Sequence, residues 1–427
     1  MRPGAHLSAA IEVLADIAGH RRPAADALRD WGRTHRFAGS GDRAAIGTLV
    51  HDVLRRRASI AAHMGSDDPR ALVLGALHMV WGLSPDEVAR LAEDGPHAPG
   101  ALGADEIARL SAPPGPVPEP AAADVPDWCW PHFARVFGSR GVEVGAALAA
   151  RAPVDLRVNT LKATREKLLK ALSRFGAVET PLSPLGVRIA HPARGGRPPA
   201  VEAEAAHGKG WFEVQDEGSQ LAAALTDARP GMQVLDLCAG AGGKTLALAA
   251  AMENTGQLFA YDADARRLRP IWERLKRAGV RNVQVLDAHD AEALSALEGR
   301  MDRVLVDAPC TGSGVWRRKP DAKWRLSPDA LTRRMAEQDS VLDSAAPLVK
   351  PGGRLVYVTC SLFAEEGEDR VAAFRARHSA FAPVSAAGVW AAAFGTPAPE
   401  GIAEIARLDP AAHGTDGFFI AILERTA

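Results

Sequence analysis

The spacing of apolar residues changes near residue 110, and the two patterns predict two kinds of structure. Before that point apolar residues recur every three to four positions, as at Ile46, Leu49, Val50 and Val53, which is the period of an amphipathic helix. The pattern predicts helices at residues 9–19, 24–31, 43–64, 70–81 and 84–93. The last begins at Ser84, a capping residue followed by Pro and two acids. We therefore expect an all-helical domain over residues 1–110.

A proline-rich stretch follows and predicts a boundary. Five prolines fall between residues 112 and 120, and proline fits neither a helix interior nor a central strand. We expect a stiff linker at residues 111–127. Mixed patterns then predict strands at 155–161, 187–190 and 211–214 and a helix at 164–175, so residues 128–227 are expected to form a small α+β domain.

From residue 231 onward, short β-branched runs alternate with helical periodicity. The strands are predicted at residues 233–237, 257–261, 282–286, 303–306, 354–358 and 418–423, and the helices near 244–252, 264–278, 328–348 and 365–378. This alternation predicts an α/β domain with a doubly wound parallel sheet over residues 228–427. Ligands bind such sheets at the carboxyl ends of the strands.

Composition excludes several classes of protein. The chain has 427 residues, a net charge of −1 and only four Cys without paired spacing. We therefore expect neither a disulfide scaffold nor a metal site, and we expect the protein to be cytoplasmic. No apolar run approaches the roughly 18 residues of a membrane span. Charge is uneven: residues 21–57 hold nine Arg against four Asp, and residues 312–334 hold seven basic residues against two Asp. Such runs are usually solvated faces.

Two cysteines and a glycine-rich turn stand at predicted strand ends. Cys310 follows one strand in Asp307-Ala308-Pro309-Cys310, and Cys360 follows another in Thr359-Cys360-Ser361. A third strand runs into the turn Cys238-Ala239-Gly240-Ala241-Gly242-Gly243-Lys244, where glycines let the backbone approach a ligand. Two thiols beside a nucleotide-type pocket indicate covalent chemistry on an electrophilic ring.

Acidic residues at three further strand ends narrow the choice of cofactor. We expect Asp262 to hold ribose hydroxyls, Asp287 to meet an adenine edge and Asp307 to reach the substrate. Each acid alone is equally well explained as a helix cap, and NAD is the rival cofactor. The series of acids favours S-adenosylmethionine as the cofactor. The turn also lacks the Gly-x-Gly-x-x-Gly spacing of a dinucleotide site, which argues against NAD.

Six motifs in order resemble one family, the Nol/Nop/Sun RNA cytosine-5 methyltransferases. They are the turn at 234–245, the two cysteine motifs at 307–314 and 359–361, and the segments 157–162, 213–220 and 413–419. The resemblance begins near Trp128, and the helical start is similar, less specifically, to a NusB-like RNA-binding domain. Gly240-Ala241 stands where the family usually has Ala-Pro, Thr311 where Ser is commoner, and Gly367 where Asn is common.

The resemblance implies a class I methyltransferase sheet preceded by an RRM-like domain, and methylation of carbon 5 of cytosine in RNA. Ribosomal RNA is the favoured substrate, transfer RNA is second, and a monomer is expected. Cys360 is implied as the nucleophile and Cys310 as the residue that helps release; Lys244 and Asp307 are expected to assist. The cofactor residues implied are Cys238, Ala239, Gly240, Ala241, Gly242, Gly243, Lys244, Asp262, Asp287 and Asp307. A non-catalytic RNA-binding assembly factor and a dehydrogenase remain the rivals.

Simpler interpretations apply to other residues. Cys129 is expected to be a small buried hydrophobe, and His413 to shape a turn, with a catalytic role as its alternative. Asp216 is explained equally by a substrate contact, together with Gln215, or by capping of a helix. The stretch Trp316-Arg317-Arg318-Lys319-Pro320 combines an aromatic ring with cations just after Cys310. It therefore predicts stacking on an unpaired base and phosphate contacts.

Overall fold

A computed structural model of the chain describes residues 1–113, 115–192, 199–290 and 292–426. The fold divides into two compact units. The helical unit comprises Met1–Arg151 and Trp316–Ser327, and the α/β unit comprises residues 152–191, 199–315 and 328–426. The helical unit thus extends past residue 110 and includes a segment from late in the chain.

Among the described residues, ten α-helices form the first part of the helical unit. They are α1 Pro3–His20, α2 Ala24–Thr34, α3 Ser40–Arg55, α4 Arg57–Met64, α5 Pro69–Met79, α6 Pro85–Ala92, α7 Ala104–Ser111, α8 Glu119–Ala122, α9 Trp130–Phe137 and α10 Gly141–Ala149. The single helix predicted at 43–64 is two helices, because Arg56 leaves helical geometry at φ −114° and ψ 21°. The predicted cap is confirmed: Ser84 Oγ accepts from the Glu87 amide, and the Glu87 carboxylate accepts from the Ser84 amide at 2.8 Å.

The late segment Trp316–Ser327 is held inside the helical unit by buried side chains. The Lys323 ammonium donates to the carbonyls of Arg55 at 2.8 Å and Asp124 at 2.7 Å. Trp316 is 1% exposed and its ring stacks against Phe133. The expectation that Trp316 stacks on an RNA base is therefore wrong for this structure, because a ring packed in a core presents no face to a ligand.

The α/β unit begins with a four-stranded antiparallel sheet, which confirms a small α+β domain. Its elements are β1 Val154–Val158, α11 Arg165–Ala171, β2 Val178–Glu179, β3 Gly186–Ile189, α12 Ala205–Gly208, β4 Phe212–Val214 and α13 Glu217–Ala224. The strand order is β2-β3-β1-β4. Leu156, Val158, Val187 and Phe212 form its buried face with Leu168 of α11.

A second sheet carries the candidate site. Its strands are β5 Gln233–Asp236, β6 Gln257–Ala260, β7 Val283–Val285, β8 Met301–Asp307, β9 Val349–Thr359, β10 Phe381–Val384, β11 Ala406–Leu408 and β12 Phe418–Arg425. The helices are α14 Gly243–Ala251, α15 Ala265–Leu268, α16 Ile271–Ala278, α17 Pro320–Arg325 (in the helical unit), α18 Pro328–Ala345, α19 Glu368–Arg377, α20 Ala386–Phe394 and α21 Pro410–His413.

Strand order explains where the predicted residues meet. The order is β10-β12-β9-β8-β5-β6-β7, and only β9-β8-β5-β6-β7 are parallel. β12 runs antiparallel to β9, so the sheet is mixed and the expected parallel strand at 418–423 is a correction. The carboxyl ends of β9, β8, β5 and β6 lie side by side, which brings both cysteines, the glycine-rich turn and Asp262 to one edge. Within the described ranges, no helix has the length and apolar character needed to cross a membrane.

Candidate active site

The glycine-rich turn between β5 and α14 adopts a conformation that needs glycine. Gly240 and Gly242 have φ values of 52° and 83°, in the left-handed region. A Cβ at Gly242 would also lie 2.5 Å from Ile271 Cγ1. The turn is fixed from β6, because the Gly240 amide donates to Asp262 Oδ2 at 3.0 Å. Asp262 therefore shapes the loop that it was predicted to border.

The predicted acids differ in their surroundings. Asp262 is 3% exposed, and its carboxylate also pairs with Arg267 at 3.1 Å. Asp287 lies two residues beyond β7, exposed, and its carboxylate accepts from the His289 amide at 2.9 Å. Asp236, Asp262 and Asp307 all act electrostatically on the Cys238 thiol, whose pKa is raised first by burial and then by these carboxylates. Three acids thus surround the turn.

Lys244 and Asp307 form an ion pair between α14 and the end of β8. Lys244 Nζ donates to Asp307 Oδ2 at 2.7 Å, and the Lys244 side chain is 9% exposed. Burial lowers the pKa of Lys244, but the carboxylate of Asp307 outweighs it, so this pKa is raised overall. Lys244 therefore stays a cation, and the Cys360 thiol is among the groups that feel its charge.

The two cysteines predicted to act together are in contact. Cys310 Sγ and Cys360 Sγ are 3.4 Å apart and share a hydrogen bond. That hydrogen bond, followed by burial, raises the pKa of Cys310 well above its usual value. The two loops are also joined by the backbone, since the Gly314 amide donates to the Cys360 carbonyl at 2.9 Å. Either sulfur can be the donor in this contact.

Residues that the sequence pattern did not single out surround the thiol pair. The Glu366 carboxylate is fully buried and accepts from the Thr311 amide at 2.8 Å and from Gln338 Nε2 at 2.9 Å. Its backbone carbonyl accepts from the Tyr357 hydroxyl at 2.8 Å. The sequence pattern does not single out Glu366, because two adjacent acids, Glu365 and Glu366, give no signal of burial.

The site's donor set suits S-adenosylmethionine. The carboxylates of Asp236, Asp262 and Asp307 outnumber the cations Lys244 and Arg267 around the turn, which matches a ligand carrying a sulfonium and an ammonium group. Asp236 Oδ1 is buried and has no hydrogen-bond partner within the described part of the chain. The turn 238–243, Lys244, Asp262, Asp287 and Asp307 are the residues that would hold this group.

Several residues serve the scaffold. Asp216 Oδ1 accepts from the Gly218 amide at 2.8 Å, so it caps α13 as expected, and it also accepts from the Asp416 amide at 3.0 Å. His413 bonds the Glu400 carbonyl through Nε2 at 2.8 Å, which supports its predicted role in a turn. Cys129 is fully buried, as predicted.

Two known protein families match parts of the chain. A family described as 16S rRNA methyltransferase RsmB/F matches residues 223–424. A second, described as an RsmF/B-like ferredoxin-like domain, matches residues 125–194. These matches cover the second sheet almost completely and most of the first.

Individual proteins that are similar to the chain are ribosomal RNA methyltransferases by name. The chain is 33% identical over 302 residues to the ribosomal RNA small subunit methyltransferase B of Enterobacter sp. (strain 638), covering 70% of this chain and 66% of the relative. It is 33% identical over 306 residues to the protein of the same name from Pseudomonas syringae pv. tomato, covering 71% and 66%. The aligned region thus spans slightly less than two thirds of these relatives.

A solved structure is similar along the whole chain. The crystal structure of PH0851 superposes with a TM-score of 0.72 at 27% sequence identity, covering 99% of both chains. The likeness therefore includes the helical unit, which the two family matches leave largely uncovered.

Proposed function

Because the chain belongs to the RsmB/F methyltransferase family, we propose that it methylates carbon 5 of a cytosine in RNA, with S-adenosylmethionine as methyl donor. Small-subunit ribosomal RNA is the proposed substrate, and transfer RNA is the second choice. The observation that carries the proposal is the thiol pair, with Cys310 and Cys360 3.4 Å apart at the same sheet edge as the Lys244–Asp307 ion pair.

The chemistry needs a nucleophile because carbon 5 of cytosine attacks poorly. Addition of the Cys360 thiolate to carbon 6 gives the ring enamine character, and carbon 5 becomes nucleophilic. When bound, S-adenosylmethionine supplies an electrophilic methyl group. Asp307, which accepts from Lys244, bonds the pyrimidine and stabilises the adduct. Transfer of the proton on carbon 5 to water then leaves its electron pair to form the double bond between carbons 5 and 6, and the bond between carbon 6 and sulfur breaks with departure of the Cys360 thiolate.

The two thiols have different proposed tasks. Only one is needed for attack, and the hydrogen bond to Cys360, followed by burial, raises the pKa of Cys310, which supports Cys310 as the thiol that does not attack. Cys360 is therefore the proposed nucleophile, and Cys310 assists release after methyl transfer. Cys238, whose thiol is also kept protonated by burial, is proposed to contact the cofactor through its backbone.

We also propose roles for the domains. Residues 1–110 bind RNA, the small domain expected at residues 128–227 precedes the catalytic domain in the sequence, and residues 228–427 bind the cofactor and catalyse the reaction in a monomer. Support for RNA binding comes from the excess of Arg in residues 21–57, since phosphate contacts dominate RNA affinity.

The test uses single cysteine variants with ribosomal RNA and labelled S-adenosylmethionine. Cys360→Ala should abolish methylation with cofactor binding retained. Cys310→Ala should accumulate a protein–RNA adduct that survives denaturing electrophoresis, requires S-adenosylmethionine and is absent from the Cys310→Ala/Cys360→Ala protein. Methylation by Cys360→Ala would overturn the assignment, and an adduct formed by Cys360→Ala alone would reverse the two roles. An absence of methylation by the wild-type protein on all cytosine-containing RNAs would favour a non-catalytic assembly factor.

A further inference from the structure

Glu366 occupies an unusual position for a charged residue. It lies in the short 3₁₀ helix Ala364–Glu366 and is 0% exposed. Its two carboxylate oxygens accept hydrogen bonds from the Thr311 amide, the Thr311 hydroxyl and Gln338 Nε2. All three groups are donors, which is the arrangement expected around an ionised carboxylate. A buried charge is costly unless it is hydrogen-bonded, so this network calls for an explanation.

The hydrogen bonds of Glu366 hold the chain on both sides of Cys310. Thr311 follows Cys310 directly, and both its amide and its hydroxyl bond Glu366. On the other side, Gln338 Nε2 donates to the Pro309 carbonyl at 2.9 Å and to Glu366 Oε1 at 2.9 Å. Cys310 therefore stands between two residues that are anchored to the same carboxylate.

The charges around the thiol pair are asymmetric. Glu366 acts electrostatically on Cys310, whereas Cys360 interacts with Lys244, the cation that is paired with Asp307 at 2.7 Å. Tyr357 also faces Cys310, and its own surroundings include Asp339 and Arg370. Cys310 thus interacts with the carboxylate of Glu366, Cys360 interacts with the Lys244–Asp307 ion pair, and a single hydrogen bond joins the sulfur atoms.

We propose that Glu366 is a positioning residue that keeps the proton of the thiol pair on Cys310 and leaves Cys360 as the thiolate. The role rests on the proposed function, because it explains why one thiol attacks and the other does not. A carboxylate beside Cys310 opposes a second negative charge there. The raised pKa of Cys310, caused by its bond to Cys360, by burial and then by the charges of Cys360 and Glu366, agrees with this placement.

Glu366→Gln separates charge from geometry. The amide oxygen can still accept from the Thr311 amide and Gln338, and the amide nitrogen can donate to the Thr311 hydroxyl, so the loop keeps its bonds and loses the charge. Glu368→Gln is the matched control, because it removes a carboxylate two residues away that is 43% exposed and pairs with Arg407.

The experiment measures which thiol reacts with limiting iodoacetamide, with neither RNA nor S-adenosylmethionine present. A thiolate displaces iodide and forms a stable thioether, which peptide mass spectrometry assigns to a residue. In the wild-type protein we expect labelling of Cys360 at neutral pH and of Cys310 only at alkaline pH. In Glu366→Gln the ratio of Cys310 to Cys360 labelling should rise about tenfold, equal to one pKa unit of proton preference. Glu368→Gln should match the wild-type ratio, and labelling of Cys238 reports any general loosening.

Two results would overturn the proposal. One is equal labelling of Cys310 and Cys360 at pH 7 in the wild-type protein, a measurement that does not depend on whether the variant folds. The other is an unchanged ratio in a folded Glu366→Gln protein. Because no RNA is involved, a failure to methylate RNA would refute the proposed function and leave this result standing.

Discussion

Replacing Asp236 by Asn should stabilise the α/β unit, and more so at alkaline pH. Asp236 ends β5 and is fully buried. One carboxylate oxygen accepts from the Thr245 hydroxyl at 2.7 Å, and the other has no hydrogen-bond partner among the described residues. Burial is the main cause that raises the pKa of Asp236 from 3.8 to about 7. Asn resembles the protonated acid and keeps an oxygen for Thr245.

The size of the effect follows from the pKa shift. A group whose pKa is raised on folding stabilises the fold fully below its unfolded pKa, and the contribution is lost as pH rises through the folded pKa. Because the pKa of Asp236 rises from 3.8 to about 7 on folding, the free energy of unfolding falls by about 4 kcal/mol above pH 7, at about 1.36 kcal/mol per pKa unit. Between pH 5 and pH 8 the same relation gives about 2.5 kcal/mol.

The assay is urea unfolding of cofactor-free protein at pH 5 and pH 8, with peptide-resolved hydrogen exchange in β5 to follow the α/β unit separately. The advantage of Asp236→Asn over wild type should be about 2.5 kcal/mol larger at pH 8 than at pH 5. Asp290→Asn, at an exposed position, is the matched control. An advantage of equal size at the two pH values would refute the reasoning, as would a variant less stable than wild type at pH 8.

Three further substitutions test individual contacts. Gly242→Ala should lower the stability of the fold by about 1–3 kcal/mol through backbone strain, and further through the clash with Ile271, and it should weaken cofactor binding in calorimetry. Gly299→Ala is the control, because Gly299 has φ 65° and open space around it, so this variant bears the strain alone. Equal losses of stability in the two variants would exclude an effect of the Ile271 contact. Trp316→Ala should destabilise the helical unit by about 3–5 kcal/mol in thermal unfolding, whereas weaker RNA binding at unchanged stability would restore the stacking hypothesis. Asp262→Ala should weaken cofactor binding by about 1.5–3 kcal/mol, and unchanged affinity would remove Asp262 from the site.

Much of the candidate site was predictable because its signals are local. β5, β6 and β8 are short apolar runs and β9 finishes with one, and each of the four ends near an acid or a cysteine. Parallel pairing alone then brings those ends together, without knowledge of any side-chain contact. The contact between Cys310 and Cys360 follows from β8 and β9 being neighbours in the sheet.

The direction of a strand and the position of a helix break were harder to predict, because they depend on residues that are distant in the sequence. The run at 418–423 has the composition of a parallel strand, yet it pairs antiparallel with β9. An apolar run buried on both faces does not encode its direction. The helix break at Arg56 has no Gly or Pro to mark it. Glu366 was missed for the same reason, since its burial depends on Thr311 and Gln338, 55 and 28 positions away.

The segment after Cys310 shows how far composition can mislead. A tryptophan followed by three cations has the composition of a nucleic-acid contact, but Trp316 is buried and Lys323 bonds carbonyls of the same helical unit. Trp324 likewise donates to the Leu54 carbonyl at 2.6 Å. Deleting residues 1–110 would therefore remove acceptors of both side chains and leave the Lys323 ammonium short of a partner.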